Sequence, residues 1–186
     1  YLHFTVLDLP EAEGTLELSL TLDCSEQGIS DQSPNRLLLH IEGSHDEKVF
    51  GCGAQLSQLD LKGEVIPCLT QEPGIGRGVQ PLTWFMEKAF GAGGSPTQSS
   101  SPAPLYLTST LQAHAVVNEE FTLIDLTRPN VRVVEVWSSR LICRIFGGAD
   151  HPLGRIRSIT AFTGRMPALP SWVDQGAILG LQGGTE

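Results

Sequence analysis

No apolar run in this sequence approaches the roughly 18 residues that a membrane-spanning helix requires. Its first residues, from Tyr1, show neither a start Met nor a charged stretch leading into an apolar one. The sequence therefore offers no membrane segment, and Tyr1 reads as a cut end. Positive charge is scarce. Twelve Lys and Arg stand against 21 Asp and Glu, a net charge of -9, which argues against nucleic acid and anionic lipid as partners because both call for a basic surface. Cysteine is sparse and ill-spaced for metal. Cys24, Cys52, Cys68 and Cys143 form no C-x-x-C pair and have no His at zinc-site spacing, so no metal site is expected. Two disulfides in an oxidising compartment and four buried thiols in a reducing one suit these spacings equally, so the localisation stays open.

Several short catalytic frames are missing as well. There is no serine elbow G-x-S-x-G, no H-E-x-x-H and no local Cys and His frame. His3, His40, His45, His114 and His151 are scattered, and no two carboxylates can be set opposite one another from spacing alone. No catalytic residue is assigned in this chain on pattern. N-glycosylation acceptors are absent too, since Asn35, Asn118 and Asn130 are followed two places on by Leu, Glu and Arg.

What is present is an ordinary globular composition: 186 residues, 40% of them apolar, enough to bury a core. Short alternating segments come first, HFTVLDL, TLELSLTLD and RLLLHIEG, broken by Pro, Gly or Ser-Asp clusters. In the second, Leu16, Leu18, Leu20 and Leu22 share one face and Thr15, Glu17, Ser19 and Thr21 the other, the signature of a strand with one dry side. After residue 105 the style returns in LYLTSTLQAHAVV, EEFTLIDL, VRVVEVWS and RLICRIFG. Strands at this spacing without intervening helices predict an antiparallel β-sandwich of roughly a dozen strands over residues 1–150.

Between the strand groups, KVFGCGAQLSQLDLKGEVIPCLTQEPGIGRGVQ is rich in Gly and Pro and reads as an ordered loop region rather than sheet. Within it, Gly74-Ile-Gly-Arg-Gly78 reads as a tight glycine loop. It fails as a dinucleotide loop because Pro81 intervenes and no helix-forming run follows. Asp60-Leu-Lys-Gly63 reads as a turn with a surface ion pair. Residues 91–104, GAGGSPTQSSSPAP, are low in complexity and predict a disordered surface insertion. After Gly147, Pro152 at a helix start, Leu153, Ile156, Ile159 and Thr160 at helical intervals and Gly164 as a stop predict one short helix. The run AILGL then reads as a buried strand, so residues 151–186 would be a linker helix and the start of a second domain.

Two stretches resemble something specific. VFGCGAQLSQLDLKGEVIP with TQEPGIGRGVQ is similar to the G-x-G-E-Q-F-S-x-x-D-L-K-G and E-x-G-x-G-R signature of the sulfoquinovosidase-like branch of glycoside hydrolase family 31. TAFTGRMPALPSWVDQGAILGLQGGTE is similar to that family's passage from sandwich to barrel. The resemblance implies a galactose-mutarotase-like sandwich followed by the first strand of a truncated (β/α)8 barrel. It implies retaining hydrolysis of α-glycosides by two Asp residues on later barrel strands, hence an inactive fragment or shortened form here, and no cofactor. It places Gln182 at the mouth of the first barrel strand as a ligand for a sugar or its sulfonate, so that the partner of the full-length protein is a carbohydrate or sulfonated small molecule. Ala54 stands where the motif has Glu and Leu56 where it has Phe. The family's SITS-binding proteins supply the alternative, a glycosidase-like binding protein without turnover.

Overall fold

The computed structural model describes residues 15–21 and 36–176. Two antiparallel sheets face each other. One has the order β1-β9-β6-β5-β3, made of β1 (Thr15–Thr21), β3 (Val49–Gly53), β5 (Pro102–Thr108), β6 (Ala113–Val116) and β9 (Arg140–Phe146). The other has the order β2-β8-β7-β4, made of β2 (Leu37–Glu42), β4 (Val65–Cys68), β7 (Thr122–Asp125) and β8 (Val131–Val136). Helix α1 (Leu82–Phe90) and helix α2 (Pro152–Thr163) complete the body, with a 3-10 turn at Ser171–Gln175.

The mainly-β, two-sheet expectation is met, with nine strands among the described residues. Between the sheets lie Leu37, Val49, Leu61, Ile66, Ile124, Val134, Val136 and Leu141. The side chains follow a period of two. Val134 and Val136 point inward, and Arg132, two residues earlier on the same face, is carried into the core with them. β6 is buried on both faces. Its His114 and Val116 face the interior, and Ala113 and Ala115 sit under α2 with Phe146, Leu105, Leu107, Ile159 and Phe162.

Helix α2 begins and ends where the sequence predicts, with Pro152 in its first turn and Gly164 after its last. His151 caps it, its Nδ1 accepting from the Gly154 N–H at 2.9 Å. Arg155 fastens it to the sandwich: Nε donates to the Leu111 carbonyl at 2.6 Å and a terminal nitrogen to that of Gly147 at 3.1 Å. The Arg144 guanidinium lies 4.2 Å from the centre of the Phe162 ring.

Three expectations are corrected. The Gly- and Pro-rich stretch before residue 80 holds two strands, β3 and β4, each at one edge of its sheet among the described residues. Edges tolerate what hid them, a bulge between Gly51 and Gly53 in β3 and Pro67 in β4. A helix does follow the glycine loop. Pro81 is its N-cap rather than an obstacle, and Gly91 in the left-handed conformation closes it. Residues 91–104 are not a disordered insertion: Gly94, Thr97 and Ser99 are buried, Thr70 bridges Ser99, Ile75 bridges Gly93, and β5 starts at Pro102. The segments HFTVLDL and AILGL lie outside the described residues, as does the barrel strand read from the second.

Candidate functional site

The signature loops meet at one edge of the sandwich. At the β3 bulge Cys52 and Gly53 both take positive φ, 58° and 83°, which turns the chain out of the sheet and into residues 54–59. That loop is pinned from below. The Ala54 N–H donates to the Ser101 carbonyl at 2.9 Å, the Ser99 hydroxyl donates to the Ala54 carbonyl at 3.0 Å, and the Gln55 amide donates to the Cys52 carbonyl at 3.1 Å. With its backbone held, the loop presents Ala54, Leu56, Ser57 and Gln58 to solvent.

Arg77 joins the second motif to the first. Its Nε donates to the Ser57 hydroxyl at 3.1 Å, and one terminal nitrogen donates to the carbonyls of Pro96 and Gln98 at 3.1 and 3.0 Å. Gly76, with φ of 79°, lets the chain pass against α1, since a Cβ there would lie 2.8 Å from the Thr83 nitrogen. The low-complexity segment is therefore the mortar between the two motifs: Pro96, Gln98, Ser99 and Ser101 supply the groups that both loops bond. A shallow open hollow beside it is lined by Thr83, Glu87, Gly93, Gly94, Ser95 and Gln98.

Asp60-Leu-Lys-Gly63 is a clasp rather than a surface ion pair. One Asp60 carboxylate oxygen accepts the N–H groups of Val49 and Lys62, both at 3.1 Å, and Leu61 is buried. The Lys62 ammonium donates to the Pro129 carbonyl at 2.8 Å and to that of Ser44 at 3.4 Å, tying the turn to the far sheet. Asp60→Ala strips a charged acceptor from two backbone donors and is expected to cost about 2–3 kcal/mol in urea unfolding. Asp60→Asn keeps an acceptor and should recover about half of that; equal losses in the two variants would refute the clasp.

Elsewhere, one cluster of titratable groups was invisible in the sequence. The buried Arg132 donates to Glu47 Oε1 at 3.2 Å, to the Gln112 side-chain oxygen at 2.6 Å and to the Glu42 carbonyl at 2.5 Å. The Thr110 hydroxyl also donates to Glu47 Oε1, at 2.7 Å. Tyr106 lies beneath the guanidinium, and His114 is 5.2 Å from it, ring to ring. Burial, reinforced by the charges of Arg132 and Arg155, drives the His114 pKa down from 6.5 to about 3, while burial raises that of the Tyr106 phenol. Arg132, Glu47, Tyr106 and His114 are almost wholly enclosed between the sheets, with Thr110 and Gln112 exposed at the rim, so the four enclosed side chains brace the fold and present no surface to a substrate.

The thiols resolve in part. Cys52, Cys68 and Cys143 are free, and burial raises all three, Cys68 and Cys143 to about 12. Cys24 lies outside the described residues, as does Gln182, the one binding residue the sequence singles out. Among the described residues no cluster of His, Cys, Asp or Glu could hold a metal ion, and no helix is long and apolar enough to cross a membrane.

Comparison with known proteins bears directly on these loops. The chain is 33% identical to the sulfoquinovosidase of Escherichia coli K12 over 153 residues, which cover 82% of this chain and 22% of that enzyme. It is 33% identical to the sulfoquinovosidase of Agrobacterium fabrum C58 over 170 residues, 90% of this chain and 26% of that enzyme. The solved family 31 sulfoquinovosidase from E. rectale, held with an aza-sugar inhibitor, superposes with a TM-score of 0.74 at 32% identity, over 81% of this chain and 23% of that one. The chain belongs to the sulfoquinovosidase-like branch of glycoside hydrolase family 31. It spans about a quarter of the length of the curated relatives it matches and corresponds to the family's amino-terminal β-sandwich. A cycloalternan-forming enzyme from Listeria monocytogenes, solved with a pentasaccharide, shares the fold at a TM-score of 0.58 and 10% identity, over 74% of this chain and 12% of that one. No family model matches the sequence.

Proposed function

We propose that this chain is the non-catalytic amino-terminal region of a retaining α-glycosidase-like protein, whose hydrolysis of O-glycosyl bonds belongs to the full-length polypeptide. The observation that carries the reading is the junction at Arg77, because it fixes the two signature loops of a sulfoquinovosidase relative to each other. A loop that must offer side chains to a sugar needs a rigid base, and here that base is built from backbone hydrogen bonds. Retaining chemistry needs two carboxyl groups about 5 Å apart; the reading places both in the remainder of the protein, and a sulfonated or neutral hexose as substrate.

Gln182 is assigned to hydrogen-bonding that sugar or its sulfonate. The test uses the full-length protein with an aryl α-glycoside of sulfoquinovose beside the matching glucoside. Gln182→Ala is expected to lower kcat/KM for the sulfonated substrate by about 10- to 100-fold, the weight of one or two lost hydrogen bonds to a charged group. An unchanged kcat/KM removes Gln182 from the site, and no hydrolysis of either substrate removes the enzyme reading.

Ala54 favours a second reading. The signature's Glu is a methyl group here, at the exposed start of the loop, so the platform has lost a carboxylate. On that reading the full-length protein binds a sulfonated or sugar-like ligand without turnover, and calorimetry would register binding where the hydrolysis assay registers nothing.

A further inference from the structure

The Arg132 cluster has more hydrogen-bonding capacity than its own members use. Four of its buried atoms, Glu47 Oε2, Arg132 Nε, Tyr106 Oη and His114 Nδ1, have no partner among the described residues. The bonds that do form are unevenly shared. Glu47 Oε1 accepts from both Arg132 and Thr110, whereas Oε2 of the same carboxylate accepts from neither. The terminal nitrogens of Arg132 are spent on Glu47, Gln112 and the Glu42 carbonyl, and its Nε–H is left over. A buried charged group that is short of a partner is costly, and native interiors relieve such a shortage with ordered water or an ion.

Gly43 shows where a partner fits. It follows β2 directly, is half-buried, and donates its N–H to the Asn130 carbonyl at 2.9 Å. Its φ lies outside the left-handed region, so its backbone conformation does not call for glycine. Its surroundings do. A Cβ at this position would stand 2.6 Å from Glu47 Oε2 and 3.4 Å from Arg132 Nε, the two atoms of the ion pair that lack partners. The first of these distances is closer than a side-chain carbon approaches an oxygen in practice. With hydrogen in place of a side chain, Gly43 therefore keeps open a spot that both atoms border, on the solvent side of the pair.

Charge and polarity select the occupant. Glu47 and Arg132 meet at 3.2 Å and cancel, so an added cation would face the guanidinium and an added anion the carboxylate. One of the two atoms is an acceptor and the other a donor, and a small neutral molecule that donates to the first and accepts from the second suits both. We propose that an ordered water beneath Gly43 bridges Glu47 Oε2 and Arg132 Nε and is a fixed part of the sandwich. Glu42 and Ser44, exposed on either side of the glycine, leave it a short way in. The water completes a node that joins β8 through Arg132, the segment between β2 and β3 through Gly43 and Glu47, and the β5–β6 turn through Thr110 and Gln112. It is tied to the carboxylate. Without Oε2 it keeps one of these two partners, fewer than the two to four that hold an internal water, so it is no independent solvent for Arg132.

Two measurements on the full chain test the assignment. In a crystal structure resolved well enough to place internal water, a single peak is expected about 2.7–3.2 Å from both Glu47 Oε2 and Arg132 Nε. In solution, the Arg132 Nε proton should show a nuclear Overhauser cross-peak to water, with the sign of a long-lived complex. Gly43→Ala is expected to lose the peak and the cross-peak together and to melt lower by roughly 5 °C. Density that refines as an ion overturns the proposal, as does a direct bond between Glu47 Oε2 and Arg132 Nε with no peak beside Gly43. A Gly43→Ala protein that keeps the water also overturns it, because the glycine is then not what makes room. Should that variant fail to fold, the peak and the cross-peak in the parent protein decide the question by themselves.

Discussion

Replacing Glu47 by Ala is expected to destabilise the sandwich by about 3–5 kcal/mol and to lower its melting temperature by on the order of 10 °C. The loss follows from what stays behind. The Arg132 side chain is fully buried, and Glu47, fully buried beside it, is the carboxylate that it meets. With that carboxylate gone, a guanidinium remains between two sheets with only Gln112 and the Glu42 carbonyl to solvate it. The pair itself is a weaker asset than the single variant suggests, since exchanging both partners for apolar side chains removes the buried charge altogether. Glu47→Leu with Arg132→Met should therefore cost less than Glu47→Ala. Chemical denaturation of the three proteins decides the matter: a loss under about 1 kcal/mol for Glu47→Ala would show that water reaches Arg132 and that the cluster is not a brace.

Acid supplies the second large effect. Desolvation first, then the charges of Arg132 and Arg155, hold the His114 imidazole neutral down to about pH 3, against an ordinary value of 6.5. Above pH 6.5 the ring is neutral in the folded and unfolded chains alike, and its contribution to stability is fully present. Below 6.5 the unfolded chain takes up a proton that the folded chain refuses, so stability falls until the pH reaches the folded value near 3. At about 1.4 kcal/mol per unit of separation, the loss from this one residue between pH 7 and pH 4 amounts to about 3 kcal/mol. His114→Leu, apolar and similar in size, should flatten the stability profile across that window. If the variant and the parent keep the same slope, another group governs the acid transition.

Both effects lie in a cluster that sequence reading passed over, and the reason is physical. His114 was one of five scattered histidines, and Arg132 sat in VRVVEVWS as an apparent polar interruption. Nothing local reports that β6 is covered on both faces or that Glu47, 85 positions away from Arg132, reaches the same spot. Regular strands were legible because their alternation is local: Leu37, Leu39 and Ile41, or Leu141, Cys143 and Ile145, declare an inner face without help from the rest of the chain. The end of α2 was legible for a similar reason, as Pro152 and Gly164 act within their own turns. β3 and β4 were missed because edge strands need only one row of hydrogen bonds and so accept glycine and proline. α1 was missed because an apolar helix whose face looks outward lacks the polar stripe that makes helices visible. Residues 91–104 misled in the opposite sense. Small polar side chains usually mark a chain with nothing to bury, but here the backbone and hydroxyl groups of Ser99 and Ser101 do the bonding, which composition does not record. At the candidate site, the two motifs could be picked out from the letters alone, whereas their union through Arg77 depends on that misread segment.

Arg155 has a mechanical meaning beyond its two hydrogen bonds. A connector that leaves a domain on a loose hinge samples a wide cone, and any surface beyond it must give up that orientational freedom each time it engages. Here the helix that carries the chain away from the sandwich is clamped at its first turn to the Leu111 and Gly147 carbonyls and wedged at its last by Phe162 against Phe146. It behaves as a lever bolted at both ends of its footing, so the heading of the polypeptide at Gly164 is set once, when the sandwich folds.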